Sequence, residues 1–424
     1  MRNVGKAALP VLALAFCLLG CADDKPTEHP YRVEHRHAIG SGEFERTVGN
    51  LLGPPLVAGN AVTTLVNGDQ IFPPMLEAIR AAKRTIDFET YIYWRGEIGQ
   101  KFTDALSERA SNGVEVHVIL DVVGSDKIDK QYVKRMRDAG AKVVEFHHLK
   151  LYDWTSAQKL NNRTHRKLLI VDGEVGFTGG VGIADEWAGN ADSPKHYRDT
   201  HYQLQGSVVA QLQAAFADNW MGSTGEVIHG DAYFPELHDS GKLRAQVFKS
   251  SPQGGSESME LLYLLSMAAA EKNIRLGSAY FVPDDLTIRT LIDATKRGVS
   301  VQIIVPGKLI DEKVVRPASR ARWGELLKAG VEIYEYQPTM YHSKQMIVDD
   351  AWVSIGSANL DNRSFRLNAE ANLNVMDRDF AQEQIRVFED DLAQCKQITY
   401  EQWQHRPANE KMFESFAAVF GWLM

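Results

Sequence analysis

The spacing of apolar residues changes period at regular intervals along the chain. In the first half, "PPMLEAIRAAKRTIDFETYIYW" carries a helical spacing and then alternates, which predicts a helix followed by a strand. "IGQKFTDALSERASNGVEVHVIL" makes the same change across a Gly turn, and "MRDAGAKVVEF" supplies a helix end, a further Gly turn and a third strand. The order returns in the second half, where "MELLYLLSMAAAEKNIRLGSAYF", "LTIRTLIDATKRGVSVQIIV" and "ELLKAGVEIYEY" each read helix then strand. Two copies of a β-α-β-α-β series predict an α/β fold of two pseudo-symmetric halves, each with a mixed, largely parallel sheet. Periodicity breaks between residues 222 and 255, at "HGDAYFPELHDSGK" and "SSPQGGS". The expected halves are therefore 51–230 and 231–405.

Each half then delivers the same short phrase: "HRKLLIVDG" at 165–173 and "HSKQMIVDD" at 342–350. Residues two apart on a strand point the same way, so His165 and Lys167 share a face, as do His342 and Lys344. Leu168 and Ile170 are assigned to the opposite face, with Met346 and Val348 doing the same in the second copy. Asp172-Gly173 and Asp349-Asp350 read as turns, and "EVGFTGG" and "AWVSIGS" as return strands. One His-x-Lys pair is an ordinary surface feature. Two, at the same place in two repeats, point to a shared site.

A metal centre fits these residues poorly, since lysine is a weak ligand and no Cys or carboxylate cluster completes a tetrahedral set near either His. "TGGVGIAD" lacks the spacing of a nucleotide loop, and its glycines read as turn residues. Two imidazoles and two ammonium groups suit a phosphodiester, whose negative charge grows in the transition state. One imidazole can attack phosphorus to form a phospho-histidine, while the other moves the proton of the departing and incoming oxygens. The lysines supply the positive field, so neither metal nor cofactor is expected.

The doubled H-x-K-x4-D, with "GSANLDNRSF" after the second copy, resembles the phospholipase D superfamily. "NGDQIFPPMLEAI", "YIYW", "RDTHYQLQG" and "GSANLDNRSFRLNAEAN" are most similar to its bacterial cardiolipin synthase branch, over about Asn60 to about Pro407. The resemblance implies two phospholipase D-like α/β/α repeats packed together, with the active site at their interface. It implies His165 as nucleophile and His342 as acid and base, the reverse being open. Lys167 and Lys344 would hold the phosphate with Ser357 and Asn359. A carboxylate downstream of each motif would pair with the histidine, and Asp199 and Glu370 match those places. Asp172 and Asp349 would be structural. Gly182 stands where the family often has Asn, which removes an amide from one side of the pocket. The implied activity is phosphatidyl transfer from phosphatidylglycerol. Hydrolysis to phosphatidic acid, a secreted endonuclease and a non-enzymatic binding module are the alternatives. Tyr91, Tyr93, Trp94, Tyr280 and Phe281 are candidate lining residues or core.

Composition alters this picture in one respect. The net charge of −8 over 424 residues argues against a nucleic-acid-binding surface. Arg2 and Lys6 precede an apolar run from Ala7 to Leu19 and then "LLGC", a secretory layout whose run is shorter than the roughly 20 residues that span a bilayer. The expectation is a signal peptide over 1–20, lipidation at Cys21, a polar tether over 21–50, and a lipoprotein facing the periplasm in the cell envelope. Anionic phospholipid and the membrane surface, reached through the anchor, are the expected partners. Processing leaves Cys395 alone, so no disulfide is expected. The tail, 406–424, places Phe413, Phe416 and Phe420 on one helical face, suited to a lipid interface or to core packing.

Overall fold

The computed structural model describes residues 31–146, 162–252 and 258–419. After helix α1 (Gly42–Thr47), the first half runs β1 (Val57–Val66), α2 (Asn67–Ala81), β2 (Thr85–Thr90), α3 (Glu97–Ser111), β3 (Glu115–Asp121), α4 (Lys130–Asp138), β4 (Lys142–Phe146), β5 (Arg163–Thr164), β6 (Leu168–Val171), β7 (Val175–Gly179), β8 (Thr200–Gln205) and α5 (Val208–Thr224). The second half runs β9 (Leu243–Ser250), α6 (Met259–Ala268), β10 (Asn273–Gly277), α7 (Asp285–Lys296), β11 (Ser300–Pro306), α8 (Val315–Ala321), α9 (Trp323–Lys328), β12 (Glu332–Tyr336), β13 (Gln345–Val348), β14 (Trp352–Gly356), α10 (Asn362–Arg366), β15 (Asn368–Met376) and α11 (Arg378–Leu392). It closes with β16 (Cys395–Ile398), α12 (Tyr400–Gln404) and α13 (Ala408–Val419).

The two halves mirror each other across one continuous sheet. Its order is β16-β12-β11-β10-β13-β14-β15-β9-β1-β8-β7-β6-β2-β3-β4, with β5 attached to β15. The central pair, β9 and β1, is antiparallel, so the half-sheets meet edge to edge. Pairs β2–β3, β3–β4, β10–β11 and β11–β12 are parallel, and the His-x-Lys hairpins pair antiparallel beside them. The hydrophobic periods explain the layers. Helix α2 buries the stripe Ile71, Phe72, Met75, Leu76 and Ile79, whereas β2 is buried at all six positions.

A central core draws on both halves: Leu168, Ile170, Leu212 and Phe216 pack with Ile347, Leu373 and Phe388. Each such side chain contributes roughly 1.5–3 kcal/mol on burial, which locks the halves together. Leu169 and Val171, one step out of phase, face an outer core instead. Met346 and Val348 lie in the corresponding outer core of the second half. This corrects their assignment opposite His342: two- and four-residue offsets keep them in phase with Lys344 and His342, and Ile347 is the true partner of Ile170.

From Tyr31 on, the expected tether is a packed segment. Ile39, Phe44, Val48 and Leu52 are buried in the second half's core, and Phe44 meets Trp352 edge-on at 5.1 Å. Ile39 N–H donates to Ala269 O at 3.0 Å, and Arg244 pairs with Glu45 at 2.7 Å. The prolines and glycines of this stretch masked a sparse apolar series that is enough to dock it. At the other end, α13 rests on α8: Glu414 accepts Arg320 Nε at 2.8 Å and Arg406 Nε at 2.5 Å, and Ala417 is buried. Phe413 and Phe416 point outward, and Phe420 lies outside the described residues.

Candidate active site

The His-x-Lys residues are extended lead-ins to β6 and β13, not part of those strands. Each lead-in is fixed by the other half of the chain. Strand β5 pairs in parallel with the start of β15, and His165 N–H donates to Ala369 O at 2.9 Å. In the mirror position, Tyr341 bridges Arg198, and His342 N–H donates to Arg198 O at 2.7 Å. The residue after each acceptor is a carboxylate. His165 Nδ1 therefore meets Glu370 Oε2 at 2.9 Å, and His342 Nδ1 meets Asp199 Oδ2 at 2.7 Å. Asp199 and Glu370 are the residues the resemblance pointed to, but the partners are exchanged between halves. In the neutral rings a carboxylate on Nδ1 selects the tautomer that leaves a lone pair on Nε2, and Lys344 Nζ lies 3.2 Å from Nε2 of His342.

The carboxylates are held in turn. Glu370 accepts from Ser357 Oγ at 2.5 Å and Ser364 Oγ at 2.8 Å; Asp199 accepts from Trp187 Nε1 and Thr200 N–H, both at 2.8 Å. Ser357, expected at the phosphate, thus commits its hydroxyl hydrogen to Glu370. Asn359 Oδ1 accepts from Tyr280 N–H at 3.4 Å. The first half has glycines at the matching positions for a steric reason. A Cβ on Gly180 would lie 2.2 Å from Asp199 Oδ1, and one on Gly182 would lie 2.9 Å from Ile92 and 3.1 Å from Trp187. Trp187 fills that side and stands edge-on to His342 at 5.1 Å.

Lys167 Nζ donates to His165 O at 2.7 Å, and Lys344 Nζ to His342 O at 2.6 Å. Both histidines, both lysines and both carboxylates are buried. Burial lowers His165 to about 4 against the pull of Glu370, and lowers His342 too, with Lys344 adding to the shift and Asp199 opposing it. Burial also lowers Lys167 to about 7 and Lys344 to about 8. Each lysine feels both carboxylates, and Lys344 repels His165 as well as Lys167, so the six groups form one electrostatic unit. Burial raises Glu370 and Asp199, but the facing histidine and lysine outweigh it and hold both below the usual range.

Asp172 and Asp349 do parallel structural work. Asp172 accepts the backbone N–H groups of Lys83, Arg84 and Thr85; Asp349 accepts those of Glu271, Lys272 and Asn273. Each ties the hairpin to the entry of the neighbouring parallel strand. Of the candidate lining aromatics, Tyr91 stands 5.2 Å from His165, and Tyr280 donates to Asp311 Oδ2 at 2.9 Å. Tyr93 and Phe281 are core. Trp187, which holds Asp199, and Ser364, which holds Glu370, lie outside the His-x-Lys phrases, and a single Trp or Ser gives no signal of its own in sequence.

Two imidazoles oriented by carboxylates, beside two buried lysines, make one composite site to which both halves of the chain contribute. A family model described as cardiolipin synthase, phospholipase D-like domain matches residues 75–218 and 263–392. A cardiolipin synthase of Geobacillus sp. is 37% identical over 372 residues, covering 87% of this chain and 74% of its own. Cardiolipin synthase A of Pseudomonas fluorescens is 35% identical over 348 residues, covering 82% and 72%. The chain belongs to this phospholipase D-like cardiolipin synthase family, and it is a phosphatidyltransferase of cardiolipin synthase type. In fold it is similar to the solved phosphatidylserine synthase of Haemophilus influenzae, with a TM-score of 0.69 at 15% identity over 90% of this chain and 100% of that one.

The placement as a periplasmic lipoprotein anchored at Cys21 is corrected. It rested on a local pattern at residues 1–21, which lie outside the described residues. Among the described residues no helix is long and apolar enough to cross a membrane.

Proposed function

We propose that this enzyme makes cardiolipin from phosphatidylglycerol by a two-step displacement at the composite site. His165 Nε2 attacks the phosphorus of an anionic phospholipid; the P–O bond to the departing glycerol breaks, and His342, which enters the step as an imidazolium, gives that oxygen its Nε2 proton. The hydroxyl of a second lipid then loses its proton to His342 and attacks the phospho-histidine, which restores His165. Lys167 and Lys344 take the growing charge on the non-bridging oxygens, with Asn359 at the same wall. Glu370 and Asp199 keep each Nδ1 protonated and stabilise the imidazolium that forms on the opposite nitrogen. The exchange of carboxylates between halves carries this reading, because neither half holds an oriented histidine alone.

No metal takes part in these steps, and a net charge of −8 disfavours nucleic acid as substrate. The test is product analysis. Purified enzyme with labelled phosphatidylglycerol vesicles should release glycerol and yield cardiolipin. Phosphatidic acid as the sole product would replace transfer with hydrolysis. Cut plasmid beside intact lipid would replace both with a nuclease.

A further inference from the structure

Away from the cleft, the start of β3 and the segment after α5 bring Glu115, His117 and Glu226 together. Their ligating atoms all lie within 4.8 Å of one another. His117 is fully buried and its ring is fixed on every side. Asp87 Oδ1 lies 2.8 Å from Nδ1, and Gln213 Nε2 donates to Asp87 Oδ2 at 2.7 Å. Trp220 and Tyr233 pack on the imidazole at 4.4 and 5.9 Å between ring centroids.

With Nδ1–H donating to Asp87, Nε2 presents a lone pair. That atom has no hydrogen-bond partner among the described residues, and it faces Glu115 Oε1 at 3.4 Å. Two acceptors facing each other form a gap that a cation closes. Lys142, opposite His117 on β4, reaches the carboxylates from outside: its Nζ is 2.8 Å from Glu226 Oε1 and 3.4 Å from Glu115 Oε1. It is half exposed on a flexible stem, so it can swing away.

We propose that Glu115, His117 and Glu226 form a site for a divalent transition-metal ion, with Asp87 as the orienting partner of the histidine ligand and Lys142 as a built-in competitor. One imidazole and two carboxylates suit Zn2+, which would keep a fourth position for water. A carboxylate on the far nitrogen of the ligating histidine is the usual device for fixing such a ring. The ion would join the β3–β4 edge to the chain leaving α5. It is remote from phosphoryl chemistry: Asp121, at the far end of β3, accepts from Thr164 N–H beside His165. Four residues of strand, about 13 Å, separate His117 from Asp121.

The test is calorimetric titration of the metal-stripped, untagged full chain with zinc chloride. The expected result is one Zn2+ per chain and a higher melting temperature that a chelator reverses. Glu115→Gln and Glu226→Gln, both half-exposed positions that spare the fold, should each weaken binding at least tenfold. Lys142→Met should tighten it severalfold. Absence of saturable binding at millimolar zinc overturns the proposal, as does binding that both glutamine variants leave intact or that Lys142→Met weakens. His165→Ala, which removes the proposed nucleophile, should bind Zn2+ as the wild type does, so this outcome and that of the lipid assay are read separately.

Discussion

Replacing Lys167 with Met should abolish transfer and yet make the protein harder to unfold at neutral pH. The ammonium is buried and falls from its ordinary 10.5 to about 7. At about 1.4 kcal/mol per unit, holding it charged in the folded state costs about 5 kcal/mol. The sign follows from proton counts. Between pH 7 and 10.5 the unfolded chain binds more protons at this lysine than the folded one, so wild-type stability rises with pH across that window. The cost is fully present below 7 and gone above 10.5, and the Met variant never bears it. Against this, His165 O loses its donor, worth about 1–3 kcal/mol. The net gain is about 2–4 kcal/mol. With an unfolding entropy of roughly 2 cal/mol/K per residue, that is a rise of about 2–5 °C for a chain of this size. Thermal unfolding of both proteins from pH 6.5 to 10 reads the effect. The gap should be widest at the acid end, close as the pH rises and reverse by about pH 10, because the loss of the carbonyl's donor does not titrate. A gap independent of pH, or a variant less stable throughout, would refute the claim that the site stores a strained charge.

Further outcomes follow from the same geometry. His165→Ala and His342→Ala should each lower kcat by several orders of magnitude, since members of one catalytic unit fail together; labelled lipid should leave a phospho-enzyme in one and not in the other. Glu370→Gln should add little to the defect of His165→Ala but multiply that of His342→Ala, and Asp199→Asn the reverse, when rates are compared in double-mutant cycles. In the free enzyme, kcat/KM should fall on the acid side as His165 protonates near 4, and on the alkaline side first as His342, held by burial below its ordinary 6.5, loses the proton it donates, and then as Lys167 and Lys344 lose theirs near 7 and 8. A profile flat from pH 5 to 9 would remove the lysines from the reaction. Asp172→Ala strands three backbone N–H groups and should cost roughly 2–4 kcal/mol in denaturant unfolding.

Much of this molecule is written locally. A helix period giving way to alternation marks each β-α-β step, and the same phrase at 165 and 342 marks the two His-x-Lys lead-ins. Asp172 and Asp349 are legible as turn residues closing each phrase, but the distant backbone they hold, at 83–85 and 271–273, is not. What tertiary structure decided is who meets whom. Nothing near His165 in sequence distinguishes Glu370, 205 residues away, from a carboxylate of its own half. That choice comes from the mirrored sheet order, which runs β5 beside β15 and sets Tyr341 beside Arg198. Trp187 and Ser357 became orienting groups only because burial leaves each carboxylate in need of donors. The docking of Ile39 and Phe44 was likewise invisible, since four well-spaced apolar residues bind only where a hydrophobic face is already waiting. Periodicity is a property of neighbours along the chain; pairing is a property of neighbours in space, and the fold creates those.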